Sequence, residues 1–410
     1  MVELSFSYKD LFRSPRIALS LQRVWTNFIG LFIGYGLYLI LTYLSFLASG
    51  RSFPAMWDRY GFFPCLFGGG AEAPWYGWAI FLLGCVLLFV TILLTNTAVS
   101  RTVYMNLKGE TFYTWKEAYK FAFKNLGSIL GAPLAIAGVI LLFVIAAIIM
   151  GLIGRIPYLG EFVTAGMTLL NMGAGLFVFF LMLVLCVAFM LVPAILATTD
   201  DDGFEAVFQS FSLSTGQPVR LIFYTAIVCI VELLALCIMA IAVKEAWIIY
   251  SELFRISMGD KFTEIGQQAM YYAQYSLAAS RPWIEYYLGP DFLGVNVAGA
   301  IYFSRDFISV ADLSAWENVC AYIFALFMLG VGALVVSYAE ATGNSGLTLL
   351  YLVMRKHHDD ENLLERKEEN GEFEEEEPTV KEEKGDAEKK EEESSGESQE
   401  EPGEEEGETK

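Results

Sequence analysis

The sequence predicts an all-α membrane protein: a polytopic bundle of about six spanning helices, short amphipathic elbow helices at the membrane surface, and a disordered acidic C-terminal tail. Apolar stretches of about 20 residues, the length that a helix needs to cross roughly 30 Å of hydrocarbon, recur along the chain. Apolar side chains make up 55% of the 410 residues, which exceeds the usual fraction in soluble domains. Amphipathic segments precede three of the apolar stretches, and the charge is concentrated at the C-terminus.

The fourth apolar stretch is the least regular. Its apolar character continues from 163 to 197, which is too long for one perpendicular helix. Asn171, Gly173 and Gly175 interrupt it, so 162–170 is expected to be a bent or interfacial lead-in, with a seventh membrane-dipping segment as the alternative. The six spans are therefore predicted at 26–48, 76–97, 130–150, 175–196, 221–243 and 319–338.

Basic residues near the spans predict the orientation, because short cytoplasmic segments carry an excess of Lys and Arg. On the opposite side, the first and third loops hold only Arg51, Arg59 and Arg155, and the long fifth loop, 244–318, is mixed in charge and counts little. We therefore expect a multi-pass protein of the cell (inner or cytoplasmic) membrane with both termini in the cytoplasm. The basic residues that define the cytoplasmic side are Lys9, Arg13, Arg16, Arg23, Arg101, Lys108, Lys116, Lys120 and Lys124.

The predicted elbow helices begin with helix-start signals. Thr114 and Glu117 form a capping box, 202–205 repeats that pattern, and Ser14 with Pro15 opens a third unit. We interpret each as a surface helix in the headgroup layer that turns into the next span; a cytoplasmic extension of the span is the alternative. In the unit from 114, aromatic and lysine faces separate, which predicts interfacial, lipid-facing roles for Trp115, Lys116, Tyr119, Lys120, Phe123 and Lys124.

The predicted membrane domain comprises residues 1–358. Two regions of the chain lie outside the six spans, a long loop within this domain and a tail after it. Residues 244–318 form a long extracytoplasmic loop, expected to be helical and rich in aromatics, which is either a lid or the surface for a protein partner. Residues 359–410 are expected to be a disordered cytoplasmic tail, because they lack core-forming side chains. From 361 onward there are 23 acidic and 7 basic side chains, a charge that argues against binding of nucleic acid or anionic lipid by this tail.

The last span is expected to end near Gly343 and Asn344, since both residue types stop helices. Residues 347–354 are apolar enough to fold back on the membrane or the bundle.

Cys65 and Cys320 are the only cysteines predicted outside the bilayer, so at most one disulfide is expected.

Glu232 is the most informative single residue because it lies in the middle of an apolar span, where a carboxyl group is costly. It is either a proton or cation site of a transporter or a neutral acid that hydrogen-bonds a neighbouring helix, for example at Asn171. Glu340 is interpreted as a residue of the membrane–water interface.

His357 and His358 are adjacent and have no distant ligand, so no metal site is expected. No cofactor and no enzyme activity are predicted.

Five short motifs resemble a group of uncharacterised prokaryotic multi-pass proteins related to the membrane domain found beside some glycerophosphoryl diester phosphodiesterases. The resemblance implies an integral membrane domain without an established activity. The long fifth loop and the glutamate-rich tail depart from it, and no phosphodiesterase domain is attached. The motifs lie at 115–122, 156–160, 191–197, 203–210 and 348–351, the last followed by Arg355.

These features favour a non-catalytic membrane protein that acts as a scaffold, an accessory subunit or an envelope-homeostasis factor. The alternative is a transporter of a small solute or lipid that uses Glu232. A membrane domain associated with lipid head-group metabolism is the third reading.

The six-span topology predicts that a reporter fused after His358 lies on the opposite side of the membrane from one inserted within 251–288. The physical reason is the excess of Lys and Arg beside the first and third spans. Alkaline phosphatase and green fluorescent protein fusions, which are active on opposite sides, would measure this. Finding both positions on the same side would contradict the six-span model.

Overall fold

A computed structural model describes residues 4–66, 73–110, 112–277 and 313–365, and these residues contain helices and no strand. Six helices are long and apolar enough to cross a membrane, so the prediction of an all-α bundle with about six spans is confirmed and the chain is a multi-pass membrane protein. The helices are α1 (Tyr8–Leu11), α2 (Ser14–Ala18), α3 (Leu21–Ala48), α4 (Phe53–Tyr60), α5 (Trp75–Lys108), α6 (Trp115–Lys124), α7 (Leu126–Ile153), α8 (Leu159–Gly166), α9 (Thr168–Thr199), α10 (Gly203–Gly216), α11 (Pro218–Met258), α12 (Asp260–Leu277) and α13 (Ala315–Asp359).

Short helices precede three of the spanning helices: α2 before α3, α6 before α7, and α10 before α11. The capping box of α6 is present, with the Thr114 amide donating to Glu117 Oε2 over 2.6 Å. Ser14, predicted as the cap of α2, is instead its first helical residue. The backbone is already helical at Arg13, whose N–H donates to the Asp10 carbonyl, so no extended cap position is left for Ser14.

The irregular fourth stretch contains a short helix followed by a long one. α8 ends at Gly166, and α9 begins at Thr168 and continues for 32 residues. The chain therefore breaks at Met167 rather than at the predicted Asn171 to Gly175. The lead-in is present as α8, and α9 is the one described helix of this stretch that is long and apolar enough to cross a membrane.

The last helix does not stop at Gly343 and Asn344, which corrects the expectation from the sequence. α13 continues to Asp359, and Asp360 takes the left-handed conformation that ends it. Between 337 and 354 every residue except Glu340 and Leu347 is buried. This stretch, which we call the central segment, packs against α3, α5, α9 and α11, and these contacts keep it helical where propensity alone would end it.

Small residues bring α3 and α5 together, the most extensive helix pair in the molecule. A side chain at Gly34 would meet Thr91, 2.9 Å away, and one at Gly84 would meet Leu41, 3.2 Å away. Gly30 faces Thr95 in the same way. Close backbone approach at small residues is the main way in which helices associate in lipid, where burial of apolar surface offers no gain.

The first outer loop folds back along α3. Three hydroxyl groups of that helix donate to loop carbonyls, and this satisfies polar backbone that would be costly at membrane depth. The three hydrogen bonds join Tyr35 to Phe62, Tyr38 to Pro64, and Tyr43 to Gly61.

Cys65 of this loop packs in the same apolar cluster as Cys85, whereas Cys320 lies exposed on α13, and all six cysteines are free.

The long fifth loop is helical as far as it is described. α11 continues well past the predicted end at 243, and α12 packs against the first turns of α13. The rings of Tyr272 and Tyr322 stack with centroids 3.9 Å apart. Residues 278–312, with the second aromatic stretch of the loop, lie outside the described residues.

The last described residues, which follow α13, pack against the bundle. Leu363 is only 2% exposed and belongs to the main apolar core, and Tyr104 donates a 2.9 Å hydrogen bond to its carbonyl. The sequence had assigned these positions to the disordered tail, which was expected to begin at 359. The prediction of disorder for 366–410 lies outside the described residues.

Two truncations should therefore differ. Ending the chain after Glu365 should change the free energy of unfolding by less than about 1 kcal/mol. Ending it after Asp359 should cost about 2 kcal/mol or more, because the buried Leu363 is lost. Unfolding midpoints in detergent would measure both, with Leu363→Ala as the point variant. Equal midpoints for the two truncations would contradict the docking of Leu363.

Candidate functional site

The contact between α11 and the central segment positions Glu232. Val228 and Glu232 lie one turn apart on α11 and face Gly346 and Gly343 of α13. A Cβ at Gly346 would lie 2.7 Å from Val228 Cγ1, and one at Gly343 would lie 2.5 Å from Glu232 Oε2. The two glycines thus form a notch that holds the Glu232 carboxylate directly against the backbone of α13.

A second carboxylate lies beside this notch. Glu340 precedes Gly343 by one helical turn, is half-buried, and interacts electrostatically with Glu232. No hydrogen bond or ion pair holds either carboxylate within the described part of the chain. Asn171, named as a partner for Glu232, is instead exposed near the start of α9. The sequence assigned Glu340 to the interface because it follows the apolar segment 319–338.

Buried amides lie on the other side of the central segment. The Asn344 Nδ2 donates to Asn96 Oδ1 of α5 over 3.0 Å. On α3, Asn27 is 0% exposed, and both atoms of its amide lack a hydrogen-bond partner in the described structure. Buried polar groups without partners are rare and costly. Sequence reasoning missed these residues; the signal was three asparagines near the predicted ends of three different spans.

The neighbouring surface does not open onto Glu232. A depression of about 460 Å³ lies at the start of α11, lined by residues 216–220 and His357. A smaller one of about 160 Å³ lies between α11 and α12, lined by residues that include Trp247 and Met270. Glu232 lines neither depression, and it is half-buried where it packs against Gly343.

The two histidines have separate contacts at the end of α13. His357 Nε2 lies 2.9 Å from the Phe6 carbonyl oxygen. His358 Nδ1 lies 2.6 Å from Asp359 Oδ1, and its Nε2 lies 3.4 Å from the Ser212 hydroxyl. Within the residues that the structure describes, no three His, Cys, Asp or Glu side chains are grouped as metal ligands.

The predicted lipid-facing residues lie together on α6. Lys116, Lys120 and Lys124 are exposed, as is Phe123, while Trp115 and Tyr119 are half-buried. The Tyr119 hydroxyl donates to the Thr26 carbonyl over 2.9 Å, and burial raises the pKa of Tyr119 above its ordinary value. The ring of Tyr119 therefore anchors the helix, and the lysine side faces outward.

No protein-family model, curated protein or solved structure matches this chain. The fold and the apolar helices define its class, a multi-pass α-helical membrane protein. The suggested relation to the membrane domain of glycerophosphoryl diester phosphodiesterases stays a prediction from the short motifs.

The notch predicts energetic coupling between Gly343 and Glu232. Gly343→Ala should destabilise the protein by about 1–3 kcal/mol through overpacking, and by less in a Glu232→Ala background, where the obstructing carboxylate is absent. The double-mutant cycle, measured by unfolding in detergent, should give a coupling of about 0.5–3 kcal/mol.

Gly332→Ala is the matched control, because a Cβ there meets nothing within 4 Å on the same helix. It should be neutral or slightly stabilising through helix propensity. If Gly343→Ala costs the same with and without Glu232, the two residues are not in contact.

Proposed function

We propose that this chain is a non-catalytic membrane protein that acts as a scaffold, an accessory subunit or an envelope-homeostasis factor. The observation that carries the proposal is the central segment of α13. It fills the middle of the bundle between α3, α5, α9 and α11, and its side chains are buried along nearly five turns. A packed axis of this kind suits a protein whose role is to hold a fixed shape in the membrane.

The physical argument compares this packing with what other functions need. Transporters bind substrate near the bilayer midplane between two parts that rock against each other. Small-molecule enzymes hold their ligands in concave sites lined by converging polar groups. In this bundle close contacts such as Gly346 on Val228 and Asn344 on Asn96 join α13 to α11 and α5. Such contacts favour one rigid arrangement over alternating access.

One observation favours transport as the second candidate. Glu232 and Glu340 lie beside each other on adjacent helices, and ionisable residues within spans often belong to proton or ion pathways. Two neighbouring carboxylates share protons more readily than they both ionise. A small solute or lipid transporter that uses Glu232 would exploit this pair. A role in lipid head-group metabolism rests only on the motif resemblance and is the third candidate.

The outer end of α11, α12 and α13 is the proposed location of a protein partner. Trp316 is exposed at the start of α13, and the stacked Tyr272 and Tyr322 lie nearby on α12 and α13. Aromatic side chains are enriched both at protein interfaces and at the membrane surface. A scaffold needs such a surface, and this region projects from the spans because α11 alone is 41 residues long.

Glu232→Gln separates the two leading candidates, since it keeps size and hydrogen bonding but removes ionisation. In a scaffold the variant should retain the cellular phenotype of the intact protein and its detergent stability. Glu232→Leu should change the free energy of unfolding by less than about 1 kcal/mol, because the half-buried Glu232 carboxylate has no hydrogen-bond partner among the described residues that its loss would leave unpaired. Complementation of a deletion strain and unfolding midpoints measure the two effects.

Glu340→Gln and the double glutamine variant extend the test to the pair. Proton flux into liposomes containing the intact protein should equal the flux into empty liposomes. Protein-dependent flux that Glu232→Gln abolishes, together with normal folding and a lost phenotype, would replace the scaffold proposal by transport.

A further inference from the structure

The helix α6 is fixed rigidly to the bundle on one side. Ala118 and Ala122 are fully buried against α5. The Tyr119 hydroxyl bonds the Thr26 carbonyl and lies 3.2 Å from the Thr95 hydroxyl. These contacts determine which face of α6 points away from the protein.

The outward face consists of two adjacent stripes. Residues four apart lie above one another on a helix, so Lys116, Lys120 and Lys124 form one row, with steps of about 6 Å. Trp115, Tyr119 and Phe123 form a second row beside it at the edge of the bundle, in which Trp115 and Tyr119 are half-buried and Phe123 is exposed. Phe123 is 60% exposed, and Phe112, just before the helix, is 93% exposed. A basic row with an exposed aromatic edge is typical of a helix that lies in the membrane interface.

The positive charge of the row is not neutralised by any residue in the described part of the chain. No ion pair joins Lys116, Lys120 or Lys124 to an acidic side chain among the residues that the structure describes. The one acidic residue of the helix, Glu117, accepts from the Thr114 amide with its carboxylate, while the Thr114 hydroxyl accepts from the Glu117 amide. The Lys116 ammonium group lies 5.6 Å from the centroid of the Trp115 ring, a contact that leaves its charge in place, so all three ammonium groups can bind an anion.

The equivalent elbow α10 provides an internal contrast. It also presents exposed aromatic rings, Phe204 and Phe208, whose centroids lie 4.8 Å apart. It contains no basic residue, carries Glu205 in its first turn, and follows the acidic residues 200–202. Both short helices thus have apolar rings that suit the membrane interface. Only α6 also has basic residues, whose positive charge would select lipids with a negatively charged headgroup.

We propose that α6 is a binding site for anionic phospholipid, with the lysine row contacting headgroup phosphates and the Trp115 and Phe123 edge contacting the upper acyl chains. Lysine ammonium groups reach phosphates through flexible apolar stems that remain against the hydrocarbon. The site goes beyond the scaffold role and does not depend on it, since it would anchor any function of the bundle to negatively charged membrane.

The test titrates phosphatidylglycerol and phosphatidylcholine into the intact detergent-solubilised protein, with bound lipid counted by native mass spectrometry. The intact chain should bind phosphatidylglycerol more tightly. Replacing Lys116, Lys120 and Lys124 together by Gln should weaken that binding about tenfold or more, since each interfacial lysine contributes roughly a fivefold factor. Binding of phosphatidylcholine should not change.

Two controls separate charge from structure. The same three positions changed to Arg should keep the preference, and Lys244→Gln with Lys261→Gln, at exposed lysines of α11 and α12, should leave it intact. The glutamine triple variant should melt at the wild-type temperature in phosphatidylcholine nanodiscs. Equal affinity of the intact protein for the two lipids, an unaffected triple variant, or displacement of lipid by millimolar inorganic phosphate would overturn the proposal.

Discussion

The close approach of α11 to the central segment of α13 is the contact on which the rest of the bundle depends. Gly343 and Gly346 let the side chains of Glu232 and Val228 of α11 pack directly against the α13 backbone. The central segment then reaches α3, α5 and α9 with its other faces. Because lipid competes for apolar surface, shape and small residues hold such a bundle together. Gly30 and Gly34 of α3 use the same device against α5.

The same packing explains why polar groups persist at the core. Asn96 and Asn344 satisfy each other across α5 and α13, whereas Asn27 has no partner in the described structure. Glu232 is held in its notch, and Glu340 is its nearest charged neighbour of known effect. Polar groups inside a membrane bundle are costly unless they specify the pairing of helices or take part in function. The asparagine pair has a structural explanation, while the carboxylate pair and Asn27 are where function would first be sought.

The short helices α6 and α10 give the protein two surfaces that differ in charge. α6 lies beside the starts of α3 and α7 and carries three unpaired lysines, whereas α10 lies beside α7, α9 and α11 and is acidic at its start. Repetition of one structural unit has thus produced two surfaces with opposite charge. A protein of this kind meets its surroundings differently on each side, which suits a scaffold that must orient a partner or a lipid.

The sequence by itself determined what depends on local pattern: six apolar helices, the positions of the short helices before three of them, the capping box at Thr114 and the place of Glu232 within an apolar helix. These follow from segment length, periodicity and residue chemistry, which need no knowledge of neighbours. Only the tertiary structure decided that α13 runs through Gly343, that Glu340 lies beside Glu232, and that Leu363 docks under the bundle. Each of these three features depends on which helices pack together. Gly343, for example, favours the end of a helix by its local propensity, but in the bundle it is a contact point for α11.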